Sequence, residues 1–404
     1  WKSCTPEEAA WRKGYEGRWK GLPLTEAVTA ALYRVTGREQ PALAGVVQSG
    51  WFLLVLLLFF DILRRSLPSA TALGSAVGAA AGCLFLAGHP FLGVLQLSFQ
   101  HEMASLLGFM LAWWLVAVYR PLPPLWLGLL AGLCLLTKPG IFWIPWCGLV
   151  IGYSLDRHGW KATLQHVWLL PSLLLALVSS LGWMKFILTS DETHQWKWPL
   201  LLTGQWYQAT AGQLGWVLGW LAAGVLLLAV VGSFRQGKYL LLLLAASSVG
   251  HPCLFSYASM THDYYLLVYF PLAALAWGWA MVWCLELWPS IRPGWALVVV
   301  GLLTVLLLET TRRLHLGVDY SGVVRAGVYR PLEAQYRALG QELGMGVPVI
   351  ALTHDCAMRL RFFSGLQAQW WPVAGDFWYE GLGGGRVGPA RERLQRLGGI
   401  SSAR

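Results

Sequence analysis

Long apolar segments separated by short polar ones dominate the chain from about residue 43 to residue 308. A helix needs about 20 apolar residues to cross a bilayer, and fewer where it borders a cavity or other helices. The pattern therefore predicts an all-α, polytopic membrane protein with about ten transmembrane helices. These helices cover roughly residues 43–63, 70–87, 103–118, 125–137, 141–153, 167–188, 214–232, 239–257, 265–287 and 295–308.

The composition agrees with this interpretation. Hydrophobic residues make up 56% of the 404 residues and charged residues only 12%, and the mean hydropathy of +0.52 is too high for a soluble domain of this size. The net charge of +10 does not indicate a nucleic-acid partner, because the basic residues lie in short loops and a tail. The seven cysteines include no CxxC pair, so neither a disulfide framework nor a zinc site is indicated.

The basic residues of the loops are distributed unevenly between the two sides of the predicted bundle. The internal loops of one side hold only Lys138 and Lys197, so the positive-inside rule places the other side in the cytoplasm. We therefore expect a multi-pass protein of a bacterial plasma membrane, with residues 1–42 and the C-terminal tail outside the cytoplasm. The loops of the cytoplasmic side hold Arg64, Arg65, Arg120, Arg157, Lys161, Arg235, Lys238 and Arg292.

The tail after the last predicted helix has a different kind of sequence. A helical stretch at 332–343, a β-like run at 348–352 and a second helical stretch at 389–397 predict a small extracytoplasmic α/β lobe. We therefore divide the chain into a transmembrane domain over residues 1–311 and an α/β segment over residues 312–404.

The two ends of the sequence suggest a fragment of a longer protein. The chain starts at Trp1 with no apolar run before Leu43, and the tail holds fewer strands than an α/β lobe needs. We therefore expect truncation at the N-terminus and an incomplete lobe at the C-terminus.

Two acidic clusters lie on the predicted outer side. Glu7 and Glu8 suit a general base, because deprotonating a hydroxyl requires a carboxylate held close to it, but the same residues also fit the first turn of a helix. His101 and Glu102 precede the third predicted span and fit either acid–base and ligand-binding chemistry or a polar helix start.

Two further clusters on that side carry cationic or titratable groups. Lys138 lies in a Lys-Pro-Gly break between two short apolar segments, where it fits either a phosphate contact or snorkelling to the interface. His262, Asp263 and Tyr264 belong to five consecutive hydrogen-bonding residues at the mouth of an apolar helix, more than a helix cap requires. A carboxylate beside a histidine makes the imidazole a better proton donor or base, so we favour a functional role for this cluster.

Standard catalytic motifs are absent from the sequence in any usable context. No GxGxxG, GxxxxGK[ST], HExxH or GxSxG motif is found there, which argues against nucleotide binding and classical hydrolase chemistry. A transferase that acts outside the cytoplasm has no nucleotide sugar at hand, so its donor must cross the membrane on a lipid phosphate.

Several segments, taken in order, resemble the multi-spanning glycosyltransferases with the C fold. These enzymes include glycosyltransferase family 39 and RgtA/B/C/D-like proteins and are related to protein mannosyltransferases and aminoarabinose transferases. The resemblance rests on PEEAAW with PLTEAVTAAL, SFQHEMASLLGF, GLLAGLCLLTKPG, THDYYLLVYFPLAAL, and ALTHDCAMRLRFFSG with RERLQRLGG in the tail.

The resemblance implies a role for each cluster. It places the catalytic base at Glu7-Glu8, although that family has an Asp-Glu type pair there. It places His101 and Glu102 on the acceptor or metal side. Lys138 and the group His262, Asp263 and Tyr264 then contact the donor phosphate.

The implied reaction is transfer of a hexosyl or pentosyl group from a polyprenyl-phosphate sugar, with inversion, to a glycan, lipid or protein acceptor. No cofactor is implied, although a divalent cation stays open. Two other interpretations also stay open. A transporter or flippase for a lipid-linked or small anionic substrate fits the short helices and buried charges, and an inactive scaffolding relative fits the missing first helix.

Overall fold

The protein is mostly helical. The computed structural model describes residues 24–37, 41–67, 71–97, 102–118, 141–165, 198–235, 237–261, 263–287, 293–316, 326–351 and 358–370. Its helices are α1 (Leu24–Thr36), α2 (Pro41–Ser66), α3 (Ala72–Gly88), α4 (Pro90–Leu97), α5 (Glu102–Val118), α6 (Trp143–Gln165), α7 (Gly204–Leu218), α8 (Trp220–Arg235), α9 (Tyr239–Leu254), α10 (Ser256–Thr261), α11 (Tyr269–Leu287), α12 (Pro293–Leu316), α13 (Ala326–Leu343) and α14 (Met358–Ser364). Two 3₁₀ helices, Trp198–Leu202 and Asp263–Val268, and two strands, β1 (Pro348–Ala351) and β2 (Gln367–Trp370), complete the described elements.

Apolar helices long enough to cross a membrane are present, which is the coarse feature that the sequence predicts. Within the described ranges, Leu43–Ser66 and Tyr265–Glu286 meet that requirement, and the bent pair Gly204–Gly215 and Trp220–Arg235 adds a third if it is one span. The count of about ten spans stays a prediction, and the segments predicted at 125–137 and 167–188 lie outside the described residues. Shorter apolar helices are Ala72–Gly88, Glu102–Ala117, Tyr239–Leu254 and Val298–Glu309.

The single helix predicted over residues 214–232 is wrong. The chain breaks at Gly219, whose φ of +80° is a conformation that side-chain-bearing residues rarely adopt. Helices α7 and α8 meet there at a bend of 100°. An apolar pattern does not reveal such a break, because both helices are hydrophobic and only the glycine marks the join.

Glycines four residues apart bring α3 and α11 into close contact. Gly78 and Gly82 lie on one face of α3, and a methyl group added at Gly82 would be 2.7 Å from the carbonyl oxygen of Ala274. Gly278 faces Gly78 in the same way, with an added methyl group 2.6 Å from its carbonyl oxygen. Small residues at this spacing allow two apolar helices to approach backbone to backbone, which is how helices associate in lipid.

A second glycine pair holds α6 against α9. A methyl group at Gly148 would collide with the side chain of Ser247, and one at Gly152 would be 2.8 Å from the Cα of Leu240. The residue numbers rise along α6 as they fall along α9, so the two helices are antiparallel. This orientation decides which residues share an end of the bundle.

The described residues form two compact units. The first holds the apolar helices up to Leu316, and the second begins with α13. In the second unit β1 and β2 pair in parallel, and α14 lies between them in sequence. The helix predicted at 332–343 and the strand predicted at 348–352 are thus found, whereas the helix predicted at 389–397 lies outside the described residues.

Candidate functional site

Two contacts fix one end of the helical bundle. The indole Nε1 of Trp114 donates to Oδ2 of Asp61 at 3.0 Å, which joins the C-terminal parts of α5 and α2. The carboxylate of Asp156 accepts from the backbone N–H groups of Tyr239 and Leu240 at 2.6 and 3.1 Å, which joins α6 to the start of α9. We call this region the basic end, and it is defined by Arg64, Arg65, Arg157 and Lys238.

The opposite end carries the polar residues of greatest interest. Twelve residues separate Glu102 from Trp114, and twelve separate His251 from Tyr239. Each interval corresponds to about 18 Å along an α-helix. Glu102 and His251 therefore lie at similar distances from the basic end, and we call their region the His251 end. It is defined by Glu102, His251 and the 3₁₀ helix Asp263–Val268.

His251 is buried among aromatic rings at this end. Its ring stacks on Tyr265 with centroids 6.0 Å apart and lies 5.0 Å from the ring of Phe255. The side chain has no exposed surface, and among the described residues neither ring nitrogen has a hydrogen-bond partner. A buried polar group without a hydrogen-bond partner costs about 1 to 3 kcal/mol of stability. His251 therefore destabilises the fold unless a ligand forms hydrogen bonds with it.

Two serines near His251 share its environment. Ser248 lies one turn earlier on α9, and Ser259 lies on α10. Both are fully buried, and their hydroxyl groups have no hydrogen-bond partner within the described ranges. The His251 end therefore concentrates polar atoms whose hydrogen-bonding capacity the described protein leaves unused.

The sequence explains why α9 ends beside His251. Pro252 lies inside the last turn of α9 and lacks the N–H that would bond to the carbonyl of Ser248. The helix ends within three residues, and the N–H of Phe255 closes it by donating to the carbonyl oxygen of His251 at 3.0 Å. Pro252 thus leaves the carbonyl oxygen of Ser248 without its usual donor within the helix, close to the buried His251.

Helix α7 closes one side of this region. The buried Nε1 of Trp206 donates to the carbonyl oxygen of Ser256 at 2.9 Å, so α7 packs on α10. The ring of Tyr207 meets that of Trp206 edge to face, with centroids 4.9 Å apart, and Tyr207 is itself exposed.

A second histidine packs near the start of α11. The ring of His89 meets that of Phe270 edge to face at 4.7 Å, and Phe91 stacks on Phe270 at 5.6 Å. Unlike His251, it accepts a hydrogen bond at Nδ1, from the N–H of Phe91 at 3.3 Å. His89 therefore has a structural partner, which makes it a useful contrast with His251.

The structure describes three of the predicted site residues. Glu102 is buried in the first turn of α5, and α5 packs against the 3₁₀ helix that begins with Asp263 and Tyr264. The two elements that carry these residues therefore meet at one end of the bundle, and the roles predicted for the residues stay predictions. The other predicted residues, Glu7, Glu8, His101, Lys138 and His262, lie outside the described residues.

The sequence interpretation did not single out His251 or Ser248. The available signal was His251-Pro252 inside the apolar segment 239–257, because an ionisable residue within such a segment is a functional candidate. Within the described ranges no group of three His, Cys, Asp or Glu side chains is arranged to hold a metal ion.

Comparisons with protein-family models, with curated proteins and with solved structures give no match. The described apolar helices have the length and composition of membrane-spanning helices, which is typical of a membrane protein.

Proposed function

We propose that the chain is a membrane glycosyltransferase that moves a sugar from a polyprenyl-phosphate donor to an acceptor at the His251 end, with inversion of configuration. The proposal includes the finer architecture expected from the sequence, a bundle of about ten spans with the His251 end on the extracytoplasmic side. The observation that carries it is the grouping of Glu102, the 3₁₀ helix with Asp263 and Tyr264, and the buried nitrogens of His251, which have no hydrogen-bond partner among the described residues.

The position of His251 along the bundle favours chemistry at the membrane boundary. Tyr265, on which His251 stacks, begins the apolar span Tyr265–Glu286. His251 therefore lies level with the start of a span rather than at its middle. A lipid-linked donor carries its phosphate at that depth, since the polyprenyl chain stays in the hydrocarbon and the sugar projects into water.

The reaction follows from the groups available. A carboxylate takes the proton of the acceptor hydroxyl, and the oxygen forms a bond to the anomeric carbon from the face opposite the phosphate. The bond from the anomeric carbon to the phosphate oxygen breaks, and the lipid phosphate leaves with the electron pair. Glu7 and Glu8 are the proposed bases, and Glu102 is the carboxylate proposed for the acceptor side.

The leaving phosphate needs hydrogen-bond donors rather than an acid, because it is already a competent leaving group. Lys138, His262 and Tyr264 are proposed to donate to it, and the carboxylate of Asp263 is proposed to orient His262. To this set we add His251, whose imidazole ring has an N–H group to donate. Donors fixed in a dry site stabilise developing charge more strongly than the same groups in water.

A turnover assay tests the proposal. The full chain in lipid vesicles is incubated with polyprenyl-phosphate sugars, and transfer to an acceptor is measured by release of polyprenyl phosphate. The Glu7→Gln, Glu8→Gln double variant should lose at least about 100-fold in rate, as expected when a general base is removed. Exposed Glu342→Gln, in the second unit, is the matched control and should keep full activity. Unchanged turnover in the double variant contradicts the proposed base.

A transporter is the second candidate, and the broken helices favour it. The breaks at Gly219 and at Pro252 give discontinuous helices of the kind that line substrate pathways. The two functions differ in product. A transporter moves an unchanged lipid-linked sugar between leaflets, whereas the transferase releases free polyprenyl phosphate on one side only.

A further inference from the structure

Residues 198–218 cover the part of the bundle that holds His251. This segment consists of the 3₁₀ helix Trp198–Leu202 and α7, and it packs against α9, α10 and the 3₁₀ helix Asp263–Val268. These elements carry His251 and Tyr265, the ring on which it stacks. Because His251 has no exposed surface, a ligand reaches its ring nitrogens only after a covering element has moved.

The covering segment is joined internally by Thr203. Its Oγ1 donates to the carbonyl oxygen of Leu200 at 2.6 Å and accepts the N–H of Trp206 at 3.4 Å. These two bonds connect the end of the 3₁₀ helix to the first turn of α7. We therefore treat residues 198–218 as one body and call it the lid segment.

Gly219 alone joins the lid segment to α8, because α7 ends at Leu218 and α8 begins at Trp220. Its N–H donates to the carbonyl oxygen of Gly215 at 3.0 Å, and its own carbonyl oxygen accepts from Ala223 at 3.1 Å. Its φ of +80° and ψ of 141° form a combination that glycine adopts readily and other residues do not. A single glycine between two helices is suited to be a hinge, since it changes both angles without a side-chain clash.

The exposed faces of the two helices that meet at Gly219 differ. Gln205 and Gln208 are exposed on α7, whereas Leu227 and Leu228 are 64% and 71% exposed on α8. The polar face of α7 keeps its contact with water when the helix moves, but the apolar face of α8 favours lipid or protein. We therefore expect α7 to move and α8 to stay in place.

The closed lid segment leaves polar groups without partners on both sides of its contact. Thr210 lies one turn after Trp206 on α7, and its buried hydroxyl has no hydrogen-bond partner among the described residues. The same holds for Ser259 and His251 beneath it. The bond from Nε1 of Trp206 to the carbonyl oxygen of Ser256 holds α7 to α10. Opening lets water reach the unpaired groups, so it costs less than separating a fully paired interface.

From these observations we propose that the lid segment opens about Gly219 and that the Trp206 bond keeps it closed over His251. Opening brings the ring nitrogens of His251 within reach of a ligand, and closure shields the bound ligand from water. The movement follows from the geometry of the lid segment, whereas the identity of the ligand, the donor phosphate, rests on the proposed function.

Histidine modification by diethyl pyrocarbonate, read by peptide mass spectrometry on the full chain in detergent, tests the movement. The reagent acylates an imidazole nitrogen, so His251 reacts only while the lid segment is open. Trp206→Phe keeps an aromatic ring but removes the bond to Ser256. His251 should then react about 5-fold faster than in the wild type, as expected for the loss of one neutral hydrogen bond. Tyr207→Phe, which removes only the hydroxyl group of an exposed neighbour, is the matched control and should react like the wild type.

A second variant tests the hinge. Gly219→Ala places a side chain at a strained backbone conformation of the closed form, so His251 should react about tenfold faster. Gly224→Ala is the matched control, because an added methyl group there meets nothing within 4 Å. An unchanged rate in Gly219→Ala overturns the hinge.

His89 is a reference within the same chain, because it is also buried but lies between α3 and α4. Faster reaction of His251 with an unchanged rate at His89 supports the lid. Equal acceleration of both histidines shows general loosening and overturns the lid, as does a wild-type rate of His251 in Trp206→Phe.

Polyprenyl phosphate separates the movement from the ligand. Protection of His251 from the reagent by saturating polyprenyl phosphate supports donor binding beneath the lid segment. Acceleration in Trp206→Phe without any protection supports the lid and overturns the donor site at His251.

Discussion

The two ends of the helical bundle both carry polar side chains, but they differ in how these side chains are hydrogen-bonded. At the basic end, the carboxylates of Asp61 and Asp156 each meet at least two donors, which are arginine side chains, an indole and backbone N–H groups. At the His251 end, His251, Ser248 and Ser259 are fully buried, yet their polar atoms have no partner among the described residues. The first arrangement joins helices, and the second leaves hydrogen-bonding capacity for something else.

This difference distinguishes polar groups that stabilise the fold from polar groups that the fold alone does not explain. A carboxylate that caps a helix is explained by the fold alone, since removing it would leave backbone donors unpaired. A fully buried histidine with unpaired nitrogens lowers stability, so the fold alone does not explain why it is there. For this reason we place the proposed chemistry at the His251 end.

The largest expected effect concerns the close packing of α3 against α11. Gly82→Ala places a methyl group 2.7 Å from the Ala274 carbonyl oxygen, whereas Gly50→Ala meets nothing within 4 Å. We expect the first variant to lose about 1 to 3 kcal/mol in free energy of unfolding through overpacking. The second should gain about 0.5 to 1 kcal/mol through helix propensity. Denaturant titration in detergent measures both, and equal effects would contradict the close α3–α11 contact.

The next effect tests whether Asp156 is structural. Asp156→Ala removes the acceptor of two backbone N–H groups at the start of α9, so the free energy of unfolding should fall by about 1 to 2 kcal/mol. Asp156→Asn retains one acceptor oxygen and should lose less. If both variants are as stable as the wild type, the carboxylate does not hold α6 to α9.

A smaller effect with the opposite sign is expected at the other end. His251→Leu replaces an unpaired buried polar group by an apolar one, so the free energy of unfolding should rise by about 1 kcal/mol. His89→Leu is the matched control, because it removes the acceptor of the Phe91 N–H and should lower stability by about 1 kcal/mol. A clear loss of stability in His251→Leu would mean that His251 has a structural partner, and the contrast between the two ends would fail.

The smallest effect concerns the exposed ion pairs. Asp61→Asn weakens the contacts with Arg64 and Arg65, whose side chains are about half exposed. Exposed ion pairs contribute about 0 to 1 kcal/mol, so stability should change little, and any change should shrink as salt is added. A large change that is insensitive to salt would indicate that the bond from Trp114 carries more of the stability than the arginines do.

The sequence predicts the helices better than it predicts their breaks and partners. Most residues of Pro41–Ser66 and Tyr269–Leu287 are apolar, so their hydrophobicity alone identifies these helices. The break at Gly219 depends on one backbone dihedral angle, which an apolar pattern does not encode. Asp156 meets Tyr239 across 83 residues, and no local spacing signals that contact. His251 is a single histidine in a long apolar run, and only packing shows that its ring nitrogens are buried.

The most direct test of the account is donor binding compared between the two ends. Affinity for a polyprenyl-phosphate sugar is measured on the full chain by quenching of tryptophan fluorescence, for the wild type, His251→Leu and Lys238→Gln. If the donor phosphate binds at the His251 end, His251→Leu should weaken binding about tenfold, as expected for loss of a hydrogen bond to a charged phosphate, while Lys238→Gln should bind like the wild type. Weakened binding in Lys238→Gln with unchanged binding in His251→Leu would place the donor at the basic end and contradict the account.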